Sequence, residues 1–497
     1  MSTFRGSEGE PGQRAVRPTR RRPRWVVTGG IVAGSLVVGA AGLAGVASAA
    51  GLSAPDLGRL SALMSSDGGS PAPDGKAPHG ERPGDKGPHG ERPDGGKGPG
   101  HDGDPDRAIP VPCDAADLVA ALVKANAEGG AHLRLAPKCT YTLKRSETSG
   151  EKRDPIVVGK LSDRTGLPVI YQPVTIHGEG ATIARDKRAK EEFRFFTVRN
   201  GGELVLKDVT LENGTAGVGG AIHTEHGANA VVERVTVTHS TARDPDLGGG
   251  AIFNDGHMVV KDSKFVENQA TGHNGRGGGI LNGGVFTLDQ GRFMDNRARG
   301  YGGGLANYQG AADVSNSTFA NNRARQGGGL ASFAARTKVW DTKIVGNSAT
   351  IGGGAANGDA TLTMRGMTIQ HNTASVDGGG VSASQGLLTL DDSAVEDNRA
   401  HGDGGGVYAV KTNLLVRDTS VSGNQAVVTR SQGGGIAVGQ GQLALFKSEV
   451  VDNRSERKPG GVFVKYARAT VDGQTEIKNN DPTNCLGSPT SVPNCFG

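Results

Sequence analysis

From about residue 248 to residue 480, apolar and polar positions follow one recurring unit. Each unit starts with a glycine triplet and an aliphatic residue. Examples are Gly248-Gly249-Gly250-Ala251, Gly277-Gly278-Gly279-Ile280, Gly302-Gly303-Gly304-Leu305 and Gly327-Gly328-Gly329-Leu330. The same start recurs at Gly352–Ala355, Gly378–Val381, Gly404–Val407 and Gly433–Ile436, with degenerate copies at Gly219–Ile222 and Gly460–Phe463. A short alternating stretch follows, such as Val285-Phe286-Thr287-Leu288. The unit ends on an apolar residue with Asn three positions later, as in Phe265/Asn268, Phe293/Asn296, Phe319/Asn322 and Ile344/Asn347. The series continues to Asn372, Asn398, Asn424, Asn453 and Asn480, at spacings of 25 to 29 residues.

A fixed period of this size means stacked supersecondary units. Period-two alternation inside each unit makes them strands rather than helix pairs. Two or three short strands per unit describe one rung of a parallel β-helix, so the fold class is all-β, with about twelve rungs expected. Rungs stack about 4.8 Å apart, so equivalent side chains should form columns. One inward column is Val260, Leu288, Val314, Val339, Met364, Leu390, Val416 and Leu445. Phe265, Phe293, Phe319, Ile344, Ile369, Val395, Val421, Val450 and Ile477 form a second. The asparagines suit a turn in the left-handed conformation and a ladder of amides between rungs. The glycine triplets let the chain corner where a Cβ would clash.

The flanks read differently. Residues 113–128 form an amphipathic pattern, with Leu118, Val119, Leu122 and Ala125 on one stripe and Gly129-Gly130 as the stop. A helix here would cap the first rung and shield its strand edges. Less regular strands are expected at His132–Leu135, Thr140–Leu143, Ile156–Val158, Val174–His177, Ala181–Ala184, Phe193–Val198 and Glu203–Leu206, with loops at Lys144–Arg153 and Arg185–Glu192.

Residues 1–49 carry an Arg-rich start, an apolar Gly/Ala-rich run and the small-residue site Ala47-Ser48-Ala49. They read as a secretory signal peptide, with an uncleaved membrane anchor as the alternative. The paired arginines hint at Tat export. Residues 50–108 are rich in Gly, Pro and charge and repeat Pro-His-Gly-Glu-Arg-Pro at 78–83 and 88–93. Too little apolar surface is available there for a core, so the segment is expected to be an extended linker to the solenoid at 109–497. Its histidines His79, His89 and His101 read as solvated spacer positions rather than metal ligands.

Composition narrows the functional classes. The 82 glycines lack a three-residue period, which excludes collagen. A net charge of +4 over 497 residues predicts no nucleic-acid partner. Four cysteines fit an oxidising compartment, and local pairing of Cys113 with Cys139 and Cys485 with Cys495 puts one bridge at each end. No short Cys-x-x-Cys spacing supports zinc, the period is wrong for calcium-binding nonapeptides, and no Lys-Ser/Thr follows the triplets as in a phosphate loop. No cofactor is implied.

Several phrases together carry a family likeness. They are Leu135-Ala136-Pro137-Lys138-Cys139-Thr140-Tyr141-Thr142-Leu143, Ile176-His177-Gly178-Glu179-Gly180-Ala181-Thr182-Ile183, the glycine and FxxN repeats, and the ending Asn484-Cys485 through Val492-Pro493-Asn494-Cys495. Over residues 107–497 the chain resembles secreted right-handed parallel β-helix proteins of high-GC Gram-positive bacteria. Their repeats are similar to those of chlamydial polymorphic outer-membrane proteins. The resemblance implies a pectin-lyase-like solenoid, secreted or surface-held, and adhesion in the chlamydial relatives. The chain shows no autotransporter barrel and no sortase signal, so surface attachment is expected to fall to the N-terminal segment, the one route to a membrane.

Candidate chemistry lies on the outward positions. Consecutive rungs there carry Thr287 and Asp289, Asp313 and Ser315, Lys338 and Trp340, Thr363 and Arg365, Thr389 and Asp391, and Leu415 and Arg417. Trp340 puts a large ring outside, which reads either as a sugar platform flanked by Lys338, Arg365, Asp313 and Asp391 or as a ring covered by a loop. Asp289 and Asp313 should lie about 8 Å apart, a separation suited to an inverting glycosidase pair. Asp392 shares a register with Asp208, Asp262, Asp341 and Asp418, which marks a turn role. Arg297, Arg299, Arg323 and Arg325 would form a basic patch able to hold acidic wall polymers. The expected partner is an extracellular polysaccharide or cell-wall polymer, bound without catalysis. The alternative is a polysaccharide lyase or glycoside hydrolase working on the same outer face.

Overall fold

The computed structural model describes residues 108–147 and 164–497. The expected signal segment and linker up to residue 107, the strand expected at Ile156–Val158 and most of the loop expected at Lys144–Arg153 lie outside the described residues. Among those described, the chain winds into a parallel β-solenoid of about fourteen turns, two more than the repeat count suggests. The extra turns are the irregular early rungs, which pair in the same columns without carrying the glycine and asparagine signature.

One rung shows the plan. After its glycine triplet comes a first strand, Ile280–Asn282. A second follows at Val285–Asp289, a third at Arg292–Met294, and a two-residue fourth at Arg297–Ala298. Every strand pairs in parallel with its counterparts one rung earlier and one rung later. From Ala355 onward the first and second strands run together as single strands of 10 or 11 residues.

The register matches the predicted columns. Val260 stacks on Leu288, Leu288 on Val314, and so on through Val339, Met364, Leu390, Val416 and Leu445. Phe265, Phe293 and Phe319 stack with ring centroids 4.7 Å apart, then give way to Ile344. These columns are fully buried and form one continuous core along the solenoid.

Three details differ from the sequence reading. The left-handed residue of the asparagine turn is the one before the Asn. Asp295 (φ 57°), Asn321 (φ 56°) and Asp397 (φ 52°) hold it, and the ladder asparagines themselves are buried. The first glycine corner is shifted by one, because Ile252 pairs with Ile280 and so places Gly249-Gly250-Ala251 where the later triplets lie. The two strands predicted at Val174–His177 and Ala181–Ala184 are one strand, Pro173–Arg185, whose register shifts between His177 and Ala181.

The ends are covered. Helix α1, Ala115–Ala127, is capped by the Asp114 carboxylate and buries Leu118, Leu122 and Ala125 in the core. The Cys113–Cys139 bridge ties its start to the second strand segment of the chain's first rung. At the other end Cys485–Cys495 closes a loop that lies along the last long strand. Thr490 N–H donates to the Val464 carbonyl at 3.1 Å, and Asn494 Nδ2 donates to the Val471 carbonyl at 2.8 Å. Exposed strand edges invite pairing with other chains, and this loop satisfies part of that edge. No helix among the described residues is long and apolar enough to cross a membrane.

Candidate functional site

Between the second and third strands the chain turns through a single left-handed residue. On successive rungs this residue is Asp341 (φ 45°), Gly366 (φ 66°), Asp392 (φ 48°), Asp418 (φ 46°) and Lys447 (φ 48°). The turn role expected for Asp392 is therefore the observed one. Asp and Asn accept this conformation because their short side chains bond locally, and Gly because it has no Cβ.

The tight turn leaves a furrow beside it that runs from rung to rung. One stretch of about 370 Å³ is lined by Trp340, Asp341, Arg365, Gly366 and Asp392. The next, about 580 Å³, shares Gly366 and Asp392 and runs on past Asp418 to Lys447 and Glu449. Gly366 keeps the join open, since a Cβ there would lie 2.3 Å from Asp341 Oδ1. Sequence reasoning picked out Trp340 and Arg365 but missed Gly366. Its one legible signal was glycine at a position that holds Asp on neighbouring rungs.

Trp340 is half-buried at the head of this furrow, stacked in register between Ser315 and Arg365. Lys338 lies two residues back in an outward column between exposed Asp313 and half-buried Thr363. Arg365 and Arg417 flank Asp391 on either side. Arg365 Nε is 3.6 Å from Asp391 Oδ2, and Arg417 donates to both carboxylate oxygens at 2.7 Å. Asp391 is only 6% exposed, and the Arg417 hydrogen bonds hold its carboxyl below the usual range. Its carboxylate is committed to this ion pair rather than open to a ligand.

Asp289 and Asp313 sit on adjacent rungs, two residues out of register as expected. Asp289 Oδ1 accepts from Ser315 Oγ at 2.9 Å and from Asn316 Nδ2 at 2.7 Å. Asp313 is exposed.

The predicted basic patch splits. Arg297 and Arg323 are neighbours across rungs and exposed, as is Arg299. Arg325 is turned away. Its guanidinium lies 5.4 Å from the Tyr301 ring, and its Nη2 donates to Tyr301 Oη at 3.3 Å and Asn274 Oδ1 at 3.5 Å. The third-strand column lies between this patch and the furrow, so the two surfaces are separate.

Two further clusters gave no sequence signal. Arg276, 2% exposed, lies 4.0 Å from the Tyr308 ring centroid, and its Nε and Nη1 have no hydrogen-bond partner. The ring face supplies the attraction that an acceptor would otherwise give. Before the glycine triplets, Asp377 Oδ1 accepts the Asp403 N–H at 2.7 Å and Asp403 Oδ1 accepts the Gln432 N–H at 2.8 Å. Burial pushes the Asp377 carboxyl up to about 6 and raises Asp403, while the nearby Tyr408 hydroxyl is pushed up to about 12. Both carboxylates serve as caps for the next rung's backbone. Among the described residues no three His, Cys, Asp or Glu side chains meet as a metal-binding set.

No family model matches the sequence, and no curated protein matches it. Among solved structures the chain is similar to the A-module of the Azotobacter vinelandii mannuronan C-5 epimerase AlgE4. The identity is 14% and the TM-score 0.43, over 73% of this chain and 94% of that one. The AlgE6 A-module of the same organism follows at 13% identity and TM-score 0.30, over 76% of this chain and 93% of that one. The parallel β-solenoid assignment stands on this chain's own strand register.

Proposed function

We propose that this is a secreted or cell-surface β-helix that binds a polysaccharide along the furrow from Trp340 to Glu449, without chemistry. The carrying observation is the half-buried Trp340 ring at the head of a furrow that continues over five rungs. Aromatic faces placed beside polar groups suit sugars, whose C–H faces are apolar and whose edges donate and accept. The two disulfides fit an oxidising, extracellular setting. The exposed Arg297, Arg299 and Arg323 offer a second contact for an acidic wall polymer.

A glycan array followed by titration calorimetry tests the reading. At least one polysaccharide should bind, and Trp340→Ala should weaken it about tenfold or more. An array without hits overturns it. The alternative, glycan cleavage at Asp289 and Asp313, draws support from their placement on adjacent rungs. It requires product release that Asp313→Asn abolishes, together with ligand contact at an Asp289 already engaged by Ser315 and Asn316.

A further inference from the structure

The furrow's charge is unbalanced. Asp341, Asp392, Asp418 and Glu449 line it on the acidic side, and Arg365 and Lys447 on the basic side. Four carboxylates against two cations leave it net negative. Arg365 faces Asp391 as well, which draws part of its charge out of the furrow. Asp418 is 3.9 Å from Arg417 Nε, but that guanidinium already donates to both oxygens of Asp391. Asp341 and Asp392 have no ion-pair partner among the described residues.

Spacing adds to charge. Asp392 and Asp418 occupy the same turn position on adjacent rungs, so their carboxylates repeat at the rung rise of about 4.8 Å. That is close to the advance of one pyranose unit in an extended glycan. A chain lying along the solenoid axis, with one ring against Trp340, would present one sugar to each rung.

We infer that the furrow selects a glycan bearing free amino groups, with its ammonium groups meeting the carboxylates that line the furrow, Asp392 and Asp418 foremost. The inference rests on the glycan-binding reading above. Ammonium–carboxylate bonds are charge-assisted and so stronger than neutral ones. Polyuronates are rejected, because their carboxylates would meet like charge. N-acetylated glycans keep the Trp340 contact but lose the charged one.

The test uses the full-length protein carrying Trp25→Phe, which leaves Trp340 as its single tryptophan reporter. Three hexasaccharide probes are titrated: chitosan, its fully N-acetylated form and oligogalacturonate. The chitosan oligomer should bind about tenfold or more tighter than the acetylated one and weaken as salt rises, while oligogalacturonate should leave the Trp340 fluorescence unchanged. Asp392→Asn with Asp418→Asn should erase the preference for the amino form and spare the acetylated one. Asn tolerates the left-handed turn, so this variant should fold, and its circular dichroism checks that.

Equal or tighter Trp340-dependent binding of the acetylated or acidic probe overturns the inference and leaves the glycan reading standing. Chitosan binding indifferent to salt and to the double substitution also overturns it. No response to any probe, by fluorescence or calorimetry, together with an empty glycan array, overturns both.

Discussion

Arg417 grips Asp391 from the neighbouring rung, with Nε and Nη2 each donating to one carboxylate oxygen at 2.7 Å. The pairing joins residues 26 positions apart on the outward face of the second strand. It is a staple between rungs, placed beside the furrow.

Replacing Asp391 with Asn removes the bidentate pair and leaves one accepting oxygen. A loss of about 1–2 kcal/mol near neutral pH is expected, at the low end for an ion pair because Arg417 is half-exposed. The sign with pH is fixed by the depressed carboxyl. Its stabilisation is full above the unfolded carboxylate value of about 3.9 and disappears as pH falls through the lower native value. Urea midpoints of wild type and variant should therefore converge in strong acid. A constant gap at all pH values would show that packing, not charge, is lost.

Asp377 titrates in the opposite sense. Burial raises its carboxyl to about 6, so the folded state resists ionising it. Wild-type stability should fall as pH rises from about 3.9 to about 6, and the deficit should persist above that. Asp377→Asn keeps an oxygen for the Asp403 N–H and removes the charge that faces Asp403 and Tyr408. The variant should gain about 1–3 kcal/mol over wild type in mildly alkaline buffer and little in acid. Paired melts across that range measure it, and a gain that does not grow with pH would contradict the burial argument.

Gly328 shows how closely the rungs pack at the glycine corner. A Cβ there would stand 2.3 Å from the Gly353 carbonyl oxygen and 2.8 Å from Ser348 backbone atoms. Neither neighbour can withdraw without breaking the rung spacing. Gly328→Ala should cost more than about 4 kcal/mol or prevent folding. Gly473→Ala, with nothing within 4 Å of the added carbon, should stay within about 0.5 kcal/mol. Soluble yield and thermal melts of the two variants compare them directly.

What the sequence could disclose follows from which interactions repeat. The Leu288 and Phe293 columns were legible because identical side chains recur at one register for many rungs. A second amide ladder, Asn254 to Asn282 to Asn307, was missed: it runs only three rungs before ending on Thr337 Oγ1. Asp391 and Arg417 could be placed at one outward register on adjacent rungs, but outward side chains vary from rung to rung and no repeat shows which neighbours pair. The Trp340 ring could be placed outside from alternation alone. The turn register shared by Asp341, Asp392 and Asp418 was legible, but nothing in it announces that five such turns, one of them glycine, leave a furrow beside them. Arg276 lies over the Tyr308 ring with two of its guanidinium nitrogens unbonded, an arrangement that no pattern rule reaches.

The asparagine ladder supplies the most discriminating variant. Asn347 Oδ1 accepts from Asn322 N–H at 2.8 Å and from Asn322 Nδ2 at 3.0 Å. Its own Nδ2 donates to the Phe319 carbonyl at 2.9 Å and to Asn372 Oδ1 at 3.0 Å. Asn347→Ala strands the two Asn322 donors and takes a donor from the Phe319 carbonyl on the preceding rung, all of them buried, while Asn372 Oδ1 on the following rung keeps the backbone N–H of residue 347. A cost of about 2–4 kcal/mol is expected, since each unsatisfied buried group costs about 1–3 kcal/mol. Asn347→Asp should cost more near neutral pH. Its carboxylate could still accept from Asn322, but it would face Asn372 Oδ1 and the Phe319 carbonyl with nothing to donate. Acid should recover part of that loss by supplying one O–H donor. Asn480 stands at the last rung, where its Oδ1 accepts from Asn453 and its Nδ2 reaches Asn484. Rungs of a solenoid contact only their neighbours, so Asn480→Ala should fray the C-terminal end and leave the middle intact. Hydrogen exchange separates the cases: protection should fall around residues 319–372 for the Asn347 variants and only beyond about residue 450 for Asn480→Ala. Equal loss along the whole solenoid in both would mean that it unfolds as one cooperative block, and the nearest-neighbour description would fail.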